Sequence, residues 1–197
     1  MSHNIASNHQ QLRALAAHQQ ALVATTLVER MLPNYLLFCE VTEFGDGKVL
    51  RDALNIVWEK QIVKNLKFNA DIQWEKIEPN VPDVEDFDMF GVYPALDTAM
   101  ALGALLAGIA GDEDAFIDVC KLSEASVGKV VEQELAVDNE EITAQMVEQH
   151  ELMQYEAEFV AELIKTVSKS PKPDKQVVKS FRQRALADGI TNIGIEV

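Results

Sequence analysis

Apolar residues recur at helical spacing along most of this chain, and that pattern predicts an all-α fold. Leu50, Leu54, Val57 and Trp58 form one apolar stripe, as expected of a helix that packs a single face on a core. The segment 94–110 is apolar nearly all round and therefore predicts a buried central helix. We expect a multi-helix bundle of about seven or eight helices with an extended C-terminal tail.

Prolines and glycines indicate where the helices begin and end. The first helix is predicted from 10 to 30, and Pro33 is placed in the first turn of the second, because that position needs no amide donor. The segment 138–168 is predicted to be one helix, the longest in the chain, ended by the prolines at 171 and 173. A last helix is predicted at 174–187.

The two ends of the chain differ from its middle. Residues 1–9 are polar and are expected to be flexible, which leaves 10–197 as a single all-helical domain. The tail after Gly189 is apolar and rich in β-branched residues, so we expect it to lie extended on the helices.

Several features predict a soluble, cytoplasmic protein. No apolar run with a cleavage site follows the polar start, and the uncharged run 98–111 is shorter than the roughly 20 residues that span a bilayer. Cys39 and Cys120 lie far apart and belong to no metal or redox spacing, which suits a reducing compartment.

The formal charge of −15 is unevenly distributed. Residues 1–82 are nearly neutral, residues 83–164 carry a net −18, and residues 165–197 carry a net +4. Broad nucleic-acid binding is not expected, because phosphate binding needs a continuous basic surface. On a helix, Lys175, Lys179 and Arg182 share one face. That face could bind a phosphate, an acidic partner or the acidic block of a second copy, or it could simply be solvated.

The acidic segment 81–91, predicted to be a loop with one helical turn, leads into the apolar helix that carries Asp97. The acids of this segment could converge with Asp97 on a hard cation or a small molecule. The alternative is that the segment is a solvated loop. Asp97 could also lie near the helix start, where the helix dipole stabilises a carboxylate at little cost. The candidate ligand-binding residues are Asp83, Asp86, Asp88, Tyr93 and Asp97.

Gln149 and Glu156 fall inside the apolar stripe of the predicted long helix. Such a polar pair can specify register in a helix pair or dimer, or line a cavity. It can also reach water where the helix projects beyond the core. We include both residues in the candidate interaction face.

Three stretches carry a resemblance to a known family. They are the run Glu29 to Tyr35 with the turn 44–47 after it, the segment 87–97, and Asn192-Ile193-Gly194-Ile195. Together they resemble the YjaG-like family of small bacterial proteins, over residues 10–195. The resemblance implies an all-helical fold and a bacterial, cytoplasmic origin, and it supplies no catalytic residues.

No motif predicts a cofactor or a metal site. The turn 45–47 lacks the length and ending of a phosphate-binding loop, and neither His18 nor His150 has the Glu-x-x-His spacing of a di-iron bundle. We therefore expect a non-catalytic interaction protein that binds a protein partner or self-associates through its segregated charge. The alternatives are a metal- or small-molecule-binding enzyme that uses the segment 83–97, and an acidic mimic of nucleic acid.

Overall fold

The computed structural model describes residues 5–63, 65–138, 141–170, 172 and 174–197. Within these ranges the chain forms nine α-helices and no β-strand, which confirms the all-α prediction. The helices are α1 (Ile5–Arg13), α2 (Ala17–Thr42), α3 (Gly47–Ile62), α4 (Ala70–Ile77), α5 (Val92–Ala110), α6 (Ala115–Leu135), α7 (Ala144–Gln149), α8 (Glu151–Ser168) and α9 (Lys175–Arg184). Two 3-10 turns, Glu78–Asn80 and Val84–Asp86, follow α4.

The core is built around α2 and α5. α2 packs against α3, α5, α6, α8 and α9, and α5 packs against α2, α3, α4 and α6. The inward face of α5 is fully buried at Ala95, Ala99, Leu102 and Leu105, as the apolar pattern predicts. α5 ends at Ala110, and the Gly111 that follows has a φ of 125°, which favours glycine.

α5 is the one helix among the described residues with the length and composition of a membrane span. Its most apolar window has a mean hydropathy of 1.5, and 61% of that window is buried against other helices. This burial is typical of the core helix of a soluble protein, because a membrane span would present its apolar surface to lipid.

Short polar side chains begin four of the described helices, and at α7 the Oγ1 of Thr143 accepts from the Met146 amide at 3.3 Å. Asp46 accepts a hydrogen bond from the Lys48 amide before α3, and Asn69 accepts one from Ile72 before α4. Asp174 accepts two amide hydrogen bonds at the start of α9. Each cap satisfies amides that the first helical turn leaves without a partner.

The helix boundary predicted at Pro33 is wrong, because Pro33 lies inside the continuous 26-residue α2. Proline lacks the amide that would bond the Glu29 carbonyl, and its ring crowds that carbonyl. Residues on both sides, including Met31, Leu32 and Tyr35, are fully buried. Burial of these side chains therefore outweighs the local cost of the proline.

The actual break lies at residues 14–16, near the start of the first predicted helix. Alanine and leucine favour helix there, so no local signal marks the break. Two buried glutamines stabilise it instead: Gln19 Oε1 accepts from the Ala16 amide at 3.2 Å, and Gln20 Nε2 donates to the Leu15 carbonyl at 2.9 Å. The first helix, expected to start at 10, begins at Ile5, so residues 5–9 lie within α1. Residues 1–4 lie outside the described ranges.

The predicted long helix 138–168 is two helices, α7 and α8, and α2 is the longest helix among the described residues. His150 is extended, with φ −64° and ψ 142°, and its Nδ1 accepts from the Leu152 amide at 3.3 Å. Histidine is not among the preferred N-cap residues, so no helix-start signal marks position 150. The apolar stripe continues across the break and gives no sign of it either. Pro171 and Pro173 lie outside the described residues.

The C-terminal tail is a folded turn and not an extended segment. Ile190 pairs with Glu196 in an isolated antiparallel bridge, and Gly194 adopts a φ of 82° between them. Thr191 and Asn192 are fully buried beneath the helices. Asn192 hydrogen-bonds to Asn34 and Ser123 of the helices, whereas Thr191 holds the turn by hydrogen bonds to Gly194 and Ile195 within the tail.

We predict that Leu102→Ala lowers the free energy of unfolding by about 2–5 kcal/mol, because it leaves a cavity between α5 and its neighbours. Met100→Ala on the same helix is the matched control, since Met100 is 41% exposed and its loss is expected to be below about 1 kcal/mol. Urea denaturation measures both. Equal losses would contradict the placement of α5 in the core.

Candidate functional site

A groove of about 740 Å³ lies on the outer side of α5, between α4 and α6. Its floor is formed by small residues of α5, namely Gly103, Ala104 and Ala107. Trp74 of α4 and Leu122 of α6 stand on opposite sides of it. The same helix that buries its large side chains in the core therefore presents a shallow apolar surface on its outer face.

Trp74 forms one wall because Gly103 leaves room for it. A Cβ atom at Gly103 would lie only 2.5 Å from Cζ3 of the Trp74 ring, so the indole packs directly on the α5 backbone. Met100 also lines the groove and is 41% exposed. An exposed apolar side chain beside an apolar floor is typical of a contact surface.

The rim of the groove is acidic. Asp71, Asp112 and Asp118 line its edges and are exposed. Lys121 Nζ contacts Asp118 Oδ1 at 2.7 Å, and this exposed pair is screened by solvent. The rim is therefore net negative around an apolar floor.

The acids of the predicted segment are not part of a metal-ligand cluster among the described residues. Asp83 caps the 3-10 turn 84–86 by accepting the Glu85 amide at 3.0 Å, and Asp86 and Asp88 are exposed. Among the described residues, a cluster of three or more potential metal ligands forms elsewhere in the fold and includes none of these acids.

Asp97 is buried at 4% exposure and is held by Lys129 of α6, whose Nζ lies 2.8 Å from both carboxylate oxygens. Burial raises the pKa of the Asp97 carboxyl, and the Lys129 ammonium opposes that rise. The interpretation that Asp97 lies in the first turn and is stabilised there by the helix dipole is wrong. α5 begins at Val92, and Asp97 lies beyond its first turn. Lys129 also lies 5.8 Å from the centroid of the exposed Tyr93 ring.

The predicted basic face of α9 is partly occupied within the chain. Arg182 Nε lies 3.7 Å from Glu29 Oε2, and its guanidinium lies over the Trp58 ring at 5.7 Å. Lys175 and Lys179 are exposed. Two of the three predicted residues therefore face solvent, and the third stabilises the contact of α9 with α2 and α3.

Gln149 and Glu156 do not act as a pair. Gln149 is exposed at the end of α7, and Glu156 is fully buried in α8. The break at His150 separates them onto different helices. The interpretation in which both side chains reach water is therefore wrong for Glu156.

Glu156 belongs to a buried polar network centred on Arg30 of α2. Both side chains have no solvent exposure, and Arg30 Nε lies 3.8 Å from Glu156 Oε2. Arg30 Nη1 also donates to Asp188 Oδ1 and to the Ala185 carbonyl, both at 3.0 Å. Phe159 packs on the guanidinium at 4.4 Å. Burial raises the pKa of Glu156, while Ser123 and Arg30 oppose that rise.

The network continues to the C-terminal turn. Ser123 Oγ of α6 donates to Glu156 Oε1 at 2.6 Å, and Asn192 Nδ2 donates to Ser123 Oγ at 3.2 Å. Asn34 Nδ2 of α2 donates to Asn192 Oδ1 at 2.8 Å. Arg30, Asn34 and Asn192 all belong to the stretches that carry the family resemblance, and the fold brings them together from opposite ends of the chain.

A second pocket of about 640 Å³ lies between α2, α3 and the end of α5. Lys60 and Gln61 line it, but both are engaged: Lys60 Nζ donates to the Leu66 carbonyl at 2.9 Å, and Gln61 Nε2 donates to Thr25 Oγ1 and the Ala21 carbonyl. These contacts hold Lys60 and Gln61 against neighbouring parts of the chain.

Sequence reasoning missed a further cluster of His9, Cys120 and Glu124. Cys120 and Glu124 are four residues apart on α6, and that spacing places them on one helix face. His9 lies in the segment that was expected to be flexible, so no pattern in the sequence could join it to α6.

The family model described as "protein of unknown function (DUF416)" matches residues 7–196 of this chain. The chain belongs to the DUF416 family. The match confirms the predicted family resemblance, since the relatives of this DUF416 protein include bacterial proteins named YjaG.

This DUF416 protein is 33% identical over 187 residues to the uncharacterised protein YjaG of Salmonella typhimurium, with 95% of each chain covered. It is 32% identical over 187 residues to YjaG of Escherichia coli K12, again with 95% of each chain covered. A crystal structure of a DUF416 family protein from Shewanella baltica superposes with a TM-score of 0.88 at 38% identity, covering 96% of this chain and 98% of that one. The bundle is therefore similar to a crystallographically determined fold.

We predict that Arg30→Met lowers the free energy of unfolding of this DUF416 protein by about 3–5 kcal/mol, because it leaves Glu156 buried without its cation. Combining it with Glu156→Leu should restore part of that loss, since the double variant removes both buried charges. Arg184→Met is the control: this side chain is 39% exposed, and its loss is expected to be below about 1 kcal/mol. Urea denaturation measures these three variants and Glu156→Leu alone, and additive losses at Arg30 and Glu156 would contradict the coupling.

Proposed function

We propose that this DUF416 protein is a non-catalytic interaction protein, and that its groove between α4, α5 and α6 binds a basic amphipathic helix of a partner protein. The observation that carries the proposal is the combination of an apolar floor with an acidic rim. The proposal keeps the interaction role inferred from the sequence and moves it from the basic helix α9 to the outer face of α5.

The shape of the groove suits a helix. Gly103, Ala104 and Ala107 lie on one face of α5 at helical spacing, and their small side chains let a second helix approach the backbone closely. Trp74 and Met100 offer large apolar contacts on the sides. A helix that inserts apolar residues at i, i+3 and i+7 would cover this surface.

The charge of the protein favours a cationic occupant. The rim carries Asp71 and Asp112, and the whole chain has a formal charge of −15. Lysine or arginine residues that flank the apolar face of a partner helix would lie near the rim, and the overall field would attract that helix.

A second copy of the chain fits the groove less well than a basic partner. Two copies repel each other through their net charge of −15. Lys175 and Lys179 could approach the rim, but the apolar residues Val178 and Phe181 of α9 are buried in their own core. A second copy would therefore bring positive charge to the groove without an apolar anchor from the same helix.

The proposal places the protein in the cytoplasm. Cys39 and Cys120 are both free thiols, which suits a reducing compartment. The burial of most of the apolar window in α5 also supports a role in solution.

We predict that a synthetic amphipathic helix of leucine and lysine binds the groove, and that a leucine and glutamate helix of the same length does not. Trp74 lines the groove and Trp58 is buried, so tryptophan fluorescence reports occupancy, with Trp74→Phe identifying the signal. Ala104→Leu should fill the floor and weaken binding by about tenfold or more, which corresponds to about 1.4 kcal/mol. Isothermal titration calorimetry gives the dissociation constants.

Charge reversal supplies the matched control. Asp71→Lys combined with Asp112→Lys should weaken binding of the basic peptide. Asp83→Lys combined with Asp86→Lys changes the net charge by the same amount outside the groove, and it should weaken binding less. Equal effects of the two pairs would show that the peptide responds only to net charge, and the proposal would fail.

The solution mass at low and high salt tests the competing occupant. A monomer at both salt concentrations is expected. A dimer that dissociates as salt rises, and that is lost in Ala104→Leu, would assign the groove to a second copy and overturn the proposed partner.

A further inference from the structure

His9, Cys120 and Glu124 form a compact cluster where α1 meets α6, away from the groove. His9 Nε2 lies 2.8 Å from Glu124 Oε2, and Cys120 Sγ lies 3.4 Å from Glu124 Oε1. The three potential ligand atoms all lie within 4.8 Å of one another. His9 and Cys120 are 111 positions apart in sequence, and the packing of α1 on α6 brings their side chains together.

The donor set is one that a specific class of metal prefers. Imidazole nitrogen, thiolate sulfur and carboxylate oxygen are the ligands of Zn²⁺ and of neighbouring divalent transition metals. Mg²⁺ and Ca²⁺ prefer oxygen ligands alone and would not favour the sulfur. Three protein ligands also leave a position for water or another ligand.

The cluster is built into the fold. Cys120 is fully buried and Glu124 is 7% exposed, whereas the His9 side chain is 17% exposed and lies on the side open to solvent. Asn8, itself 1% exposed, donates from Nδ2 to the Ala157 carbonyl at 2.8 Å. That hydrogen bond joins α1 to α8 at the residue next to His9, so the contact with Glu124 is not the sole attachment of this part of α1.

Without a cation, burial keeps all three groups near neutrality. It raises the pKa of the Cys120 thiol well above its ordinary value and that of Glu124 to about 8, and it lowers the pKa of His9. Lys121 favours the charged form of Glu124, and Glu156 opposes it. Lys121 and Arg13 also disfavour a cationic His9.

A divalent cation changes this balance. A thiolate and a carboxylate together supply two negative charges, so the complex of a divalent ion with the three side chains has no net charge. A neutral complex is the state that a buried position tolerates best. Binding would release the Cys120 and Glu124 protons to solvent, and affinity would rise with pH.

We propose that His9, Cys120 and Glu124 bind one divalent transition-metal ion of the zinc class and so fasten α1 to α6. The competing account is a hydrogen-bonded cluster that ties the same two helices without an ion. The site is independent of the groove and does not require the proposed interaction role.

Cobalt titration of the metal-free protein tests the proposal. The full chain is prepared without an affinity tag, in a His3→Gln background that removes the histidine near the N-terminal amine. Co²⁺ should bind with one equivalent and produce a thiolate-to-cobalt charge-transfer band, and Zn²⁺ should displace it. Calorimetry in buffers of different ionisation enthalpy should detect release of protons on binding.

Variants separate this site from other thiols and imidazoles. Cys120→Ser should abolish the charge-transfer band, and His9→Gln and Glu124→Gln should each weaken Co²⁺ binding by about tenfold or more. Cys39→Ser and His18→Gln are the matched controls and should bind as the parent does. Circular dichroism confirms the helical fold of each variant, and Cys120→Ala replaces Cys120→Ser if that variant is unfolded.

Two kinds of result would overturn the proposed metal site. Absence of saturable Co²⁺ and Zn²⁺ binding would leave the hydrogen-bonded cluster as the correct account. Binding that Cys39→Ser abolishes, or that survives both His9→Gln and Cys120→Ser unchanged, would place the ion elsewhere and overturn the proposal.

Discussion

The burial of Arg30 is the constraint on which much of this bundle depends. A guanidinium with no solvent exposure must be compensated, because an unpaired charge in a core costs several kcal/mol. Compensation comes from Glu156 of α8 and from Asp188, which follows α9. The Arg30 side chain therefore requires α2, α8 and the segment after α9 to come together. Asn192 belongs to the same network, because its amide donates to the carbonyl and the hydroxyl of Ser123.

The fold separates two surfaces that serve different proposed roles. The outer face of α5 is apolar with an acidic rim, which suits a partner helix. The contact of α1 with α6 brings nitrogen, sulfur and oxygen donors together, which suits a small ion. The first is an exposed groove whose small floor residues leave space for a helix, and the second is a largely buried cluster in which three side chains converge. Neither depends on the acidic segment 83–97, whose one buried carboxylate is already paired with Lys129.

Much of the secondary structure follows from local chemistry. The stripe of Leu50, Leu54 and Val57 is buried as its spacing indicates, because side chains at i, i+4 and i+7 share a helix face. Asp174 caps α9, and the turn 84–86 falls within the predicted loop. The family resemblance is also visible in sequence, since Glu29 to Tyr35 and the C-terminal stretch are contiguous motifs. These features depend on residues that are close together in the chain.

The remaining features depend on residues that are distant in the chain, and only the tertiary structure decided them. Pro33 stays helical because buried neighbours outweigh a local cost, and the break at 14–16 is held by glutamine side chains rather than by a helix breaker. The burial of Glu156 and the approach of His9 to Cys120 follow from packing between helices. The sequence by itself determined helix type, the charge layout and the family. The tertiary structure decided which polar residues meet, because helical periodicity specifies which residues share a face but not which helix packs against it.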